Sequence, residues 1–255
     1  SKENLFKYKL CVTKSKVLSG SFGFFLELNE KRTQLRRKPQ LIASVLPQFN
    51  ENTFNFNKVH ADEVLFILQY DGMFVSFLIN NSPLTMNHCL ICPDVEKNQP
   101  QILTQKSLEF SLDLLDKLGN RYYRIGYNSP GALASVNHLH LHLMLIQRDL
   151  YVDTANLKEL CTSIYMLEDK YPTCGLCLIA WDTDCVQQVS GKVFQLVNFL
   201  CIRGIPHNIF ITRGFFEGKE CKRILIFPRD NRYLVRDKEL SGFGIAFCEL
   251  STYIP

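Results

Sequence analysis

The sequence lacks the features that mark membrane or nucleic-acid-binding proteins. None of its apolar runs approaches the roughly 20 residues that a bilayer-crossing helix needs. The first ten residues, SKENLFKYKL, contain no apolar core of the secretory type. The net charge is only +4, and no wide basic face with interleaved aromatic side chains is visible. We therefore expect neither a membrane nor a nucleic acid as partner.

Histidine is scarce, with 6 residues in 255, yet three of them alternate within SVNHLHLHLML (135–145). Successive side chains of a strand point to opposite faces. His138, His140 and His142 would therefore share one face of a strand. The other face would carry Leu139, Leu141, Leu143 and Leu145. We expect the leucines to lie in the core and the histidines to meet water, a partner or a ligand.

The ten cysteines have two interpretations, disulfides in a secreted protein or free thiols in a reducing compartment. Several lie in apolar runs, where cysteine behaves as a small apolar residue. Without a visible secretory signal, we expect reduced thiols and a cytoplasmic location. Cys174 and Cys177 form a lone CxxC pair, and a structural zinc site needs about four ligands. Cys161 as a third ligand leaves a zinc site open as a minor alternative.

Turn residues and hydrophobic periodicity predict an α+β fold with a largely antiparallel sheet and packed helices. Strands are predicted over 63–70 and 73–80 with a turn at Asp71–Gly72, and over 88–93, 121–128, 175–181, 207–214 and 222–230. Helices are predicted over 104–118 and from Val186 to about Arg203–Gly204. This strand–helix–strand rhythm occurs twice, which suggests a duplication with halves 1–150 and 151–255.

Three roles are open for the histidine face: hydrogen-bonded structural residues, a metal site or phosphate chemistry. The outer two histidines stand about 13–14 Å apart along a strand. A metal holds its nitrogen ligands at about 2 Å, so all three cannot easily share one ion. A nucleophile, in contrast, stands centrally with donors on either side. His140 would then attack phosphorus through an unprotonated Nε2, its Nδ1–H held by an acceptor such as a backbone carbonyl.

The basic residues are concentrated in EKRTQLRRKPQ (Glu30–Gln40). A solvated loop and an anion-binding arm for phosphate are both consistent with this segment.

The stretch HLHLHLM (138–144) fits the histidine-triad pattern, and GYNSPGALASVNHLHLH (126–142) resembles the GDP-D-glucose phosphorylases and their plant relatives, the GDP-L-galactose phosphorylases. Segments 28–40, 54–59, 79–93, 205–214 and 243–255 are similar to the same family, in the same order. The resemblance implies a galactose-1-phosphate-uridylyltransferase-like fold of two histidine-triad halves, with the catalytic strand only in the first. It implies the reaction of GDP-glucose with inorganic phosphate to give GDP and glucose 1-phosphate.

In that family's chemistry the middle histidine becomes guanylylated, which falls on His140 here. The partners implied are a GDP-hexose and phosphate, and a homo-oligomer is compatible with the resemblance. No cofactor and no metal are required, since donors and basic residues can hold the phosphates.

The resemblance also assigns supporting residues. Asn128 and Ser135 match positions that hydrogen-bond the leaving phosphate and the α-phosphate, and Gly131 keeps the backbone close to phosphate. His88 either supports the site or contacts substrate. Further candidates for binding phosphate, sugar or nucleotide are Arg32, Arg36, Arg37, Asn80 and Pro83.

The chain departs from the family pattern at Asn87, Leu143 and Met144 and in its short C-terminal tail. These differences leave the preferred hexose open. Two other functions therefore stay in view: a histidine-triad nucleotide hydrolase or phosphoramidase, in which water replaces phosphate, and a nucleotide-binding protein without catalysis.

Overall fold

The computed structural model describes residues 5–230 and 244–255. The family-like segment 243–255 therefore begins one residue outside this range. The helices are α1 (Glu30–Leu35), α2 (Gln105–Leu118), α3 (Tyr151–Thr154), α4 (Val186–Ile202) and α5 (Phe247–Leu250). Short 3-10 turns cover Phe56–Lys58, Ala61–Glu63 and Val95–Lys97. No helix among these residues is long and apolar enough to cross a bilayer.

The strands form two sheets. They are β1 (Lys14–Val17), β2 (Phe25–Leu28), β3 (Val64–Tyr70), β4 (Met73–Ile79), β5 (Cys89–Pro93), β6 (Tyr123–Asn128), β7 (Leu141–Leu145), β8 (Leu157–Cys161), β9 (Ile164–Leu167), β10 (Leu176–Ala180), β11 (His207–Phe216), β12 (Lys219–Pro228) and β13 (Tyr253–Ile254). The large sheet has the order β3-β4-β5-β7-β6-β11-β12-β10-β9-β8, and the small sheet the order β1-β2-β13.

Every neighbouring pair in the large sheet is antiparallel. The predicted α+β fold with a largely antiparallel sheet is therefore confirmed. The strand order is also symmetric about the β6–β11 pair. Each side has five strands in the order 1-2-3-5-4 from its outer edge, with a helix between its third and fourth strands in the chain. The division of the chain at residue 150 stays a prediction.

Local signals place most elements as expected. Asp71 (φ 43°) and Gly72 (φ 78°) form the turn between β3 and β4, because two positive φ values match the twist of a tight hairpin. The side chain of Thr104 caps the first turn of α2, and Gly119 (φ 63°) ends the helix in a left-handed conformation. The buried stripe of α2 is the predicted one: Leu108, Leu112 and Leu115.

The large sheet is covered on both faces. The leucine face packs against α2 and α4, so the predicted leucine core is confirmed for Leu139, Leu141 and Leu143. The histidine face is less polar than we predicted. Met144, on that same face, lies in a second apolar cluster with the C-terminal segment, including Phe247 and other residues of α5. The triad therefore lies beside a core and not on an open polar surface.

The predicted histidine strand is confirmed only in its second part. The strand β7 begins at Leu141, so His142 is the only triad member inside it. Before it, the amide of Leu139 donates to the carbonyl of Gln99. The side-chain amide of Gln101 forms hydrogen bonds with both the N–H and the carbonyl of His140. Because these partners are not strand residues, the ladder cannot continue.

Candidate active site

The triad lies where the ladder between β6 and β7 ends. Gly126 and His142 form the last register pair. Beyond them Nε2 of Gln101 donates to the carbonyls of Asn128 and His140, both at 3.0 Å. Its Oε1 accepts from the His140 amide at 2.8 Å. The strands separate at this level because the fully buried Gln101 amide fills the gap, and it holds the His140 backbone on both sides.

His140 has the tautomer that a nucleophile requires. Its Nδ1 lies 2.8 Å from the carbonyl oxygen of His138. A carbonyl only accepts, so Nδ1 carries the proton and Nε2 keeps a lone pair. Burial lowers the pKa of His140 to about 4, although the His138 carbonyl opposes the shift. The ring is therefore neutral at pH 7. This arrangement is the one expected from the sequence for attack on phosphorus.

His138 is enclosed by aromatic rings beside His140. It is fully buried, and its ring packs against those of Phe49 and Phe56 with centroids 5.0 and 5.4 Å away. Its Nδ1 accepts from the Phe56 amide at 3.0 Å. Burial lowers its pKa to about 4, the Val95 backbone opposing the shift. The carbonyl of His138 orients His140, and a contact of its ring with phosphate stays a prediction.

A chain of hydrogen bonds sets the tautomer of His142. The Leu84 amide donates to Nδ1 of His88 at 3.0 Å, so the proton of a neutral His88 lies on Nε2. That Nε2 lies 3.0 Å from Nδ1 of His142, which must accept. His142 in turn carries its proton on Nε2 and offers it as a donor. Burial lowers the pKa of His88 to about 3 and that of His142 well below its usual value.

Asn80 lies beside this pair. Its Oδ1 accepts from the Ser82 amide at 3.0 Å, which fixes the amide, and its Nδ2 lies 3.4 Å from Nδ1 of His88, the ring nitrogen that accepts. Pro83, the other residue expected in a nucleotide-cradling segment, contributes its carbonyl to the Tyr8 hydroxyl.

Asn128 presents amide hydrogens toward the histidine face. It lies two residues beyond Gly126 on β6 and therefore points to the same side of the sheet. Its Oδ1 accepts from Nδ2 of Asn208 at 2.6 Å and from the Phe247 amide at 3.3 Å. Among the described residues its Nδ2 has no hydrogen-bond partner, since both bonds of the side chain are made by Oδ1. Asn128 is thus a free donor beside His140.

The basic segment is anchored to the site and is not a loose loop. Nη1 of Arg32 donates to the Ser82 carbonyl at 3.1 Å. The Arg37 amide donates to the Ser82 hydroxyl at 3.4 Å, and its guanidinium lies 4.0 Å from the centre of the Phe54 ring. The charge of Arg32 contributes to the lowered pKa of His88. Arg37 acts in the same direction on His140. Arg36, by contrast, is exposed and follows α1.

The loop before the triad borders a cavity. Gly131 (φ 79°) needs its left-handed conformation in the turn that follows β6. The carbonyl of Ser135 accepts from the Gln40 amide at 3.0 Å. Between residues 39–46, the Gly131 loop and the end of α4 lies a cavity of about 780 Å³.

The C-terminal segment forms one wall of the site, although the sequence indicated it only as a segment similar to the family. The ring of Phe247 lies 5.1 Å from that of His142. Sulfur atoms of Cys248 and Met144 are 3.9 Å apart. Met144 and Leu143, two of the departures from the family pattern, are both buried in packed clusters. Neither their identity nor that of Phe247 carries a motif that would have indicated this wall.

The cysteines considered as zinc ligands do not come together in the described residues. All ten are free thiols, and Cys161 and Cys174 are exposed whereas Cys177 is buried. Across residues 5–230 and 244–255, no group of three His, Cys, Asp or Glu side chains is arranged to hold a metal ion. The Cys161–Cys174–Cys177 arrangement therefore does not form.

Comparison with known proteins identifies the family. A family model described as "GDPGP1-like, N-terminal domain" matches residues 1–144. GDP-D-glucose phosphorylase 1 of Danio rerio is 33% identical over 260 residues, covering 98% of this chain and 75% of that protein. The Xenopus laevis protein of the same name is 31% identical over 300 residues, covering 99% and 74%.

More distant matches exist among plant proteins and solved structures. GDP-L-galactose phosphorylase 2 of Arabidopsis thaliana is 31% identical over 251 residues, covering 88% of this chain and 56% of that protein. The crystal structure of yeast Ap4A phosphorylase Apa2 has a TM-score of 0.46 at 17% identity, covering 64% of this chain and 58% of that one. The near-complete match to the animal proteins is decisive: this chain belongs to the GDP-D-glucose phosphorylase family.

Proposed function

We propose that this chain catalyses the phosphorolysis of GDP-glucose to GDP and glucose 1-phosphate through a guanylyl-His140 intermediate. One observation carries the proposal: the 2.8 Å hydrogen bond from Nδ1 of His140 to the His138 carbonyl. It holds the proton on Nδ1 and leaves the Nε2 lone pair for attack. The names and near-complete coverage of the animal relatives support the substrate pair.

In the first step Nε2 of His140 attacks the α-phosphorus, which carries the guanosine. The bond between that phosphorus and the bridging oxygen breaks, and glucose 1-phosphate leaves. The ring becomes cationic when the N–P bond forms, and the carbonyl of His138 stabilises it through the Nδ1–H bond. Nε2–H of His142 would donate to a phosphate oxygen in this step.

In the second step an oxygen of inorganic phosphate attacks the same phosphorus and the N–P bond breaks. GDP is released and His140 returns to its neutral form. The two steps share one site because the leaving phosphate and the attacking phosphate occupy equivalent positions. Asn128 would donate to this phosphate, and Arg32 and Arg37 would offset its charge. For Ser135, Gly131 and Arg36 we keep the phosphate-binding roles as predictions.

The intermediate can be trapped by leaving out phosphate. GDP-glucose alone should convert the enzyme to a stable GMP adduct, which mass spectrometry of peptides locates on His140. His140→Ala should give no adduct, whereas His60→Ala, at an exposed histidine, should give as much as the wild type. An adduct that persists in His140→Ala rules out the assignment.

Turnover with and without phosphate separates the alternatives. A phosphorylase releases GDP only when phosphate is present, and glucose 1-phosphate appears in equal amount. Release of GMP without phosphate would indicate a hydrolase. Tight binding of GDP without turnover of any sugar nucleotide would indicate a nucleotide-binding protein. The cytoplasmic location and a homo-oligomer remain predictions, to be checked by localisation and by light scattering.

A further inference from the structure

The second half of the chain contacts the first half's site through one buried side chain. Asn208 on β11 lies directly opposite Asn128 on β6. It is fully buried. Its Nδ2 donates to Oδ1 of Asn128 at 2.6 Å and to the carbonyl of Ala132 at 2.8 Å. Both hydrogens of this amide group are thereby used.

Arg229 and the Ala132 carbonyl together determine which way the Asn208 amide faces. Nη1 of Arg229 lies 3.3 Å from Oδ1 of Asn208 and 2.8 Å from the carbonyl of Ile245. A guanidinium only donates, so the group facing it must be the Asn208 oxygen. The Asn208 nitrogen consequently faces Asn128, and it cannot be exchanged with the oxygen without placing two donors together.

The orientation of the Asn208 amide in turn fixes the orientation of the Asn128 amide. Its Oδ1 receives two donors, Nδ2 of Asn208 and the Phe247 amide. Its own NH2 group is therefore the part that points outward beside His140. A reversed amide would present an oxygen to a negatively charged phosphate, which repels it.

We propose that Asn208, held by Arg229, is a positioning residue for the transfer reaction: it keeps Asn128 turned with its amide hydrogens toward the phosphate. The inference rests on the proposed function of the site. It gives the half without a triad a specific part in catalysis, because Asn208 and Arg229 both come from that half.

Replacing Asn208 by aspartate tests the orientation with almost no change in shape. The introduced carboxylate can still accept from Arg229, but it cannot donate to Asn128. Asn128 then lowers its energy by reversing, so that its NH2 group donates to the carboxylate and its oxygen faces the site. We expect single-turnover guanylylation by GDP-glucose to slow by roughly 10- to 100-fold, the worth of a hydrogen bond to a charged group.

Asn198→Asp is the matched control, because Asn198 is exposed on α4 and the substitution adds the same charge. It should guanylylate at the wild-type rate. Thermal unfolding followed by circular dichroism establishes that each variant is folded. If Asn208→Asp does not fold, Asn208→Ala replaces it, since Asn128 then loses the side-chain donor that holds its Oδ1.

A double-mutant cycle distinguishes positioning from general damage. In an Asn128→Ala background, Asn208→Asp should change the rate by less than about twofold, because the group it positions is gone. An equal loss in both backgrounds, or a wild-type rate for Asn208→Asp alone, overturns the inference. Wild-type protein that does not turn over GDP-glucose at all would instead reject the proposed function, so the two failures are distinct.

Discussion

The ring of Phe247 occupies the space where a side chain on Gly126 would lie. A Cβ added to Gly126 would be 2.2 Å from a ring carbon of Phe247. Gly126 is also the residue that pairs with His142 across the sheet. The absence of a side chain at this position therefore allows the C-terminal segment to pack directly beside the triad.

Gly126→Ala should destabilise the protein by about 1–3 kcal/mol, the usual cost of overpacking. It should also lower kcat/KM, because Phe247 must move away from His142. Urea unfolding and steady-state turnover measure the two effects. Gly191→Ala is the control, since a Cβ there meets nothing closer than 3.5 Å. Combining Gly126→Ala with Phe247→Ala should cost less stability than the sum of the single changes, and strict additivity would contradict the contact.

His88→Phe should slow guanylylation by roughly 10- to 100-fold, the range of a general acid or base contribution. Without the proton from His88, Nδ1 of His142 loses its donor, and the proton of His142 is no longer held on Nε2. Rapid-quench measurement of the burst gives the rate. In a His142→Ala background the same substitution should have little further effect, and a full additional loss there would count against the relay.

Gln101→Leu should cost about 2–4 kcal/mol of stability, because a buried amide and two buried carbonyls lose their partner. Turnover should fall as well, since the His140 backbone is no longer held at both its groups. Denaturation and kcat are compared with Gln188→Leu, a substitution at an exposed position on α4. A Gln101→Leu protein with wild-type stability would show that the strands can close without this amide.

The free energy of unfolding should fall as the pH is lowered from about 6.5. Burial lowers the pKa of His88 to about 3 and those of His138, His140 and His207 to about 4. The unfolded chain therefore binds more protons than the folded chain between about pH 6.5 and these values. Each histidine contributes a slope of up to about 1.4 kcal/mol per pH unit.

Urea titrations at several pH values measure this slope. His207→Phe should reduce the slope, because it removes one buried histidine with a lowered pKa. His207 lies outside the triad, so the substitution leaves the triad histidines in place. His60→Phe, at an exposed position, should leave the slope unchanged. Equal slopes in the wild type and both variants would contradict the lowered pKa of His207.

Part of the site was predictable from local pattern. Alternation of histidine and leucine placed Leu139, Leu141 and Leu143 in the core, and the central position of His140 indicated the nucleophile. The expected Nδ1–H bond to a backbone carbonyl is present, its acceptor lying only two residues away. Both features involve residues that are close neighbours in one short extended segment, so the sequence alone is enough to predict them.

Other parts had no local signal. Gln101 and Asn208 are single polar residues in ordinary surroundings, and neither spacing nor composition distinguishes them from solvent-exposed amides. His138 was expected beside phosphate, but the Phe56 amide, 82 residues away in the chain, takes its Nδ1. These contacts join residues far apart in the chain, and the sequence alone does not show which distant residues become neighbours in the fold.

The sequence by itself therefore determined most strands of the large sheet, its two long helices, the leucine core and the family, and it predicted the nucleophile. Each of these depends on residues that are neighbours in the chain or on the order of motifs along it. Only the tertiary structure decided where the other protons lie. His88 and His142 are 54 residues apart, and Asn128 and Asn208 are 80 apart. Their hydrogen bonds exist because the folded sheet brings the partners together, and those bonds determine which side-chain atoms are left facing the candidate site.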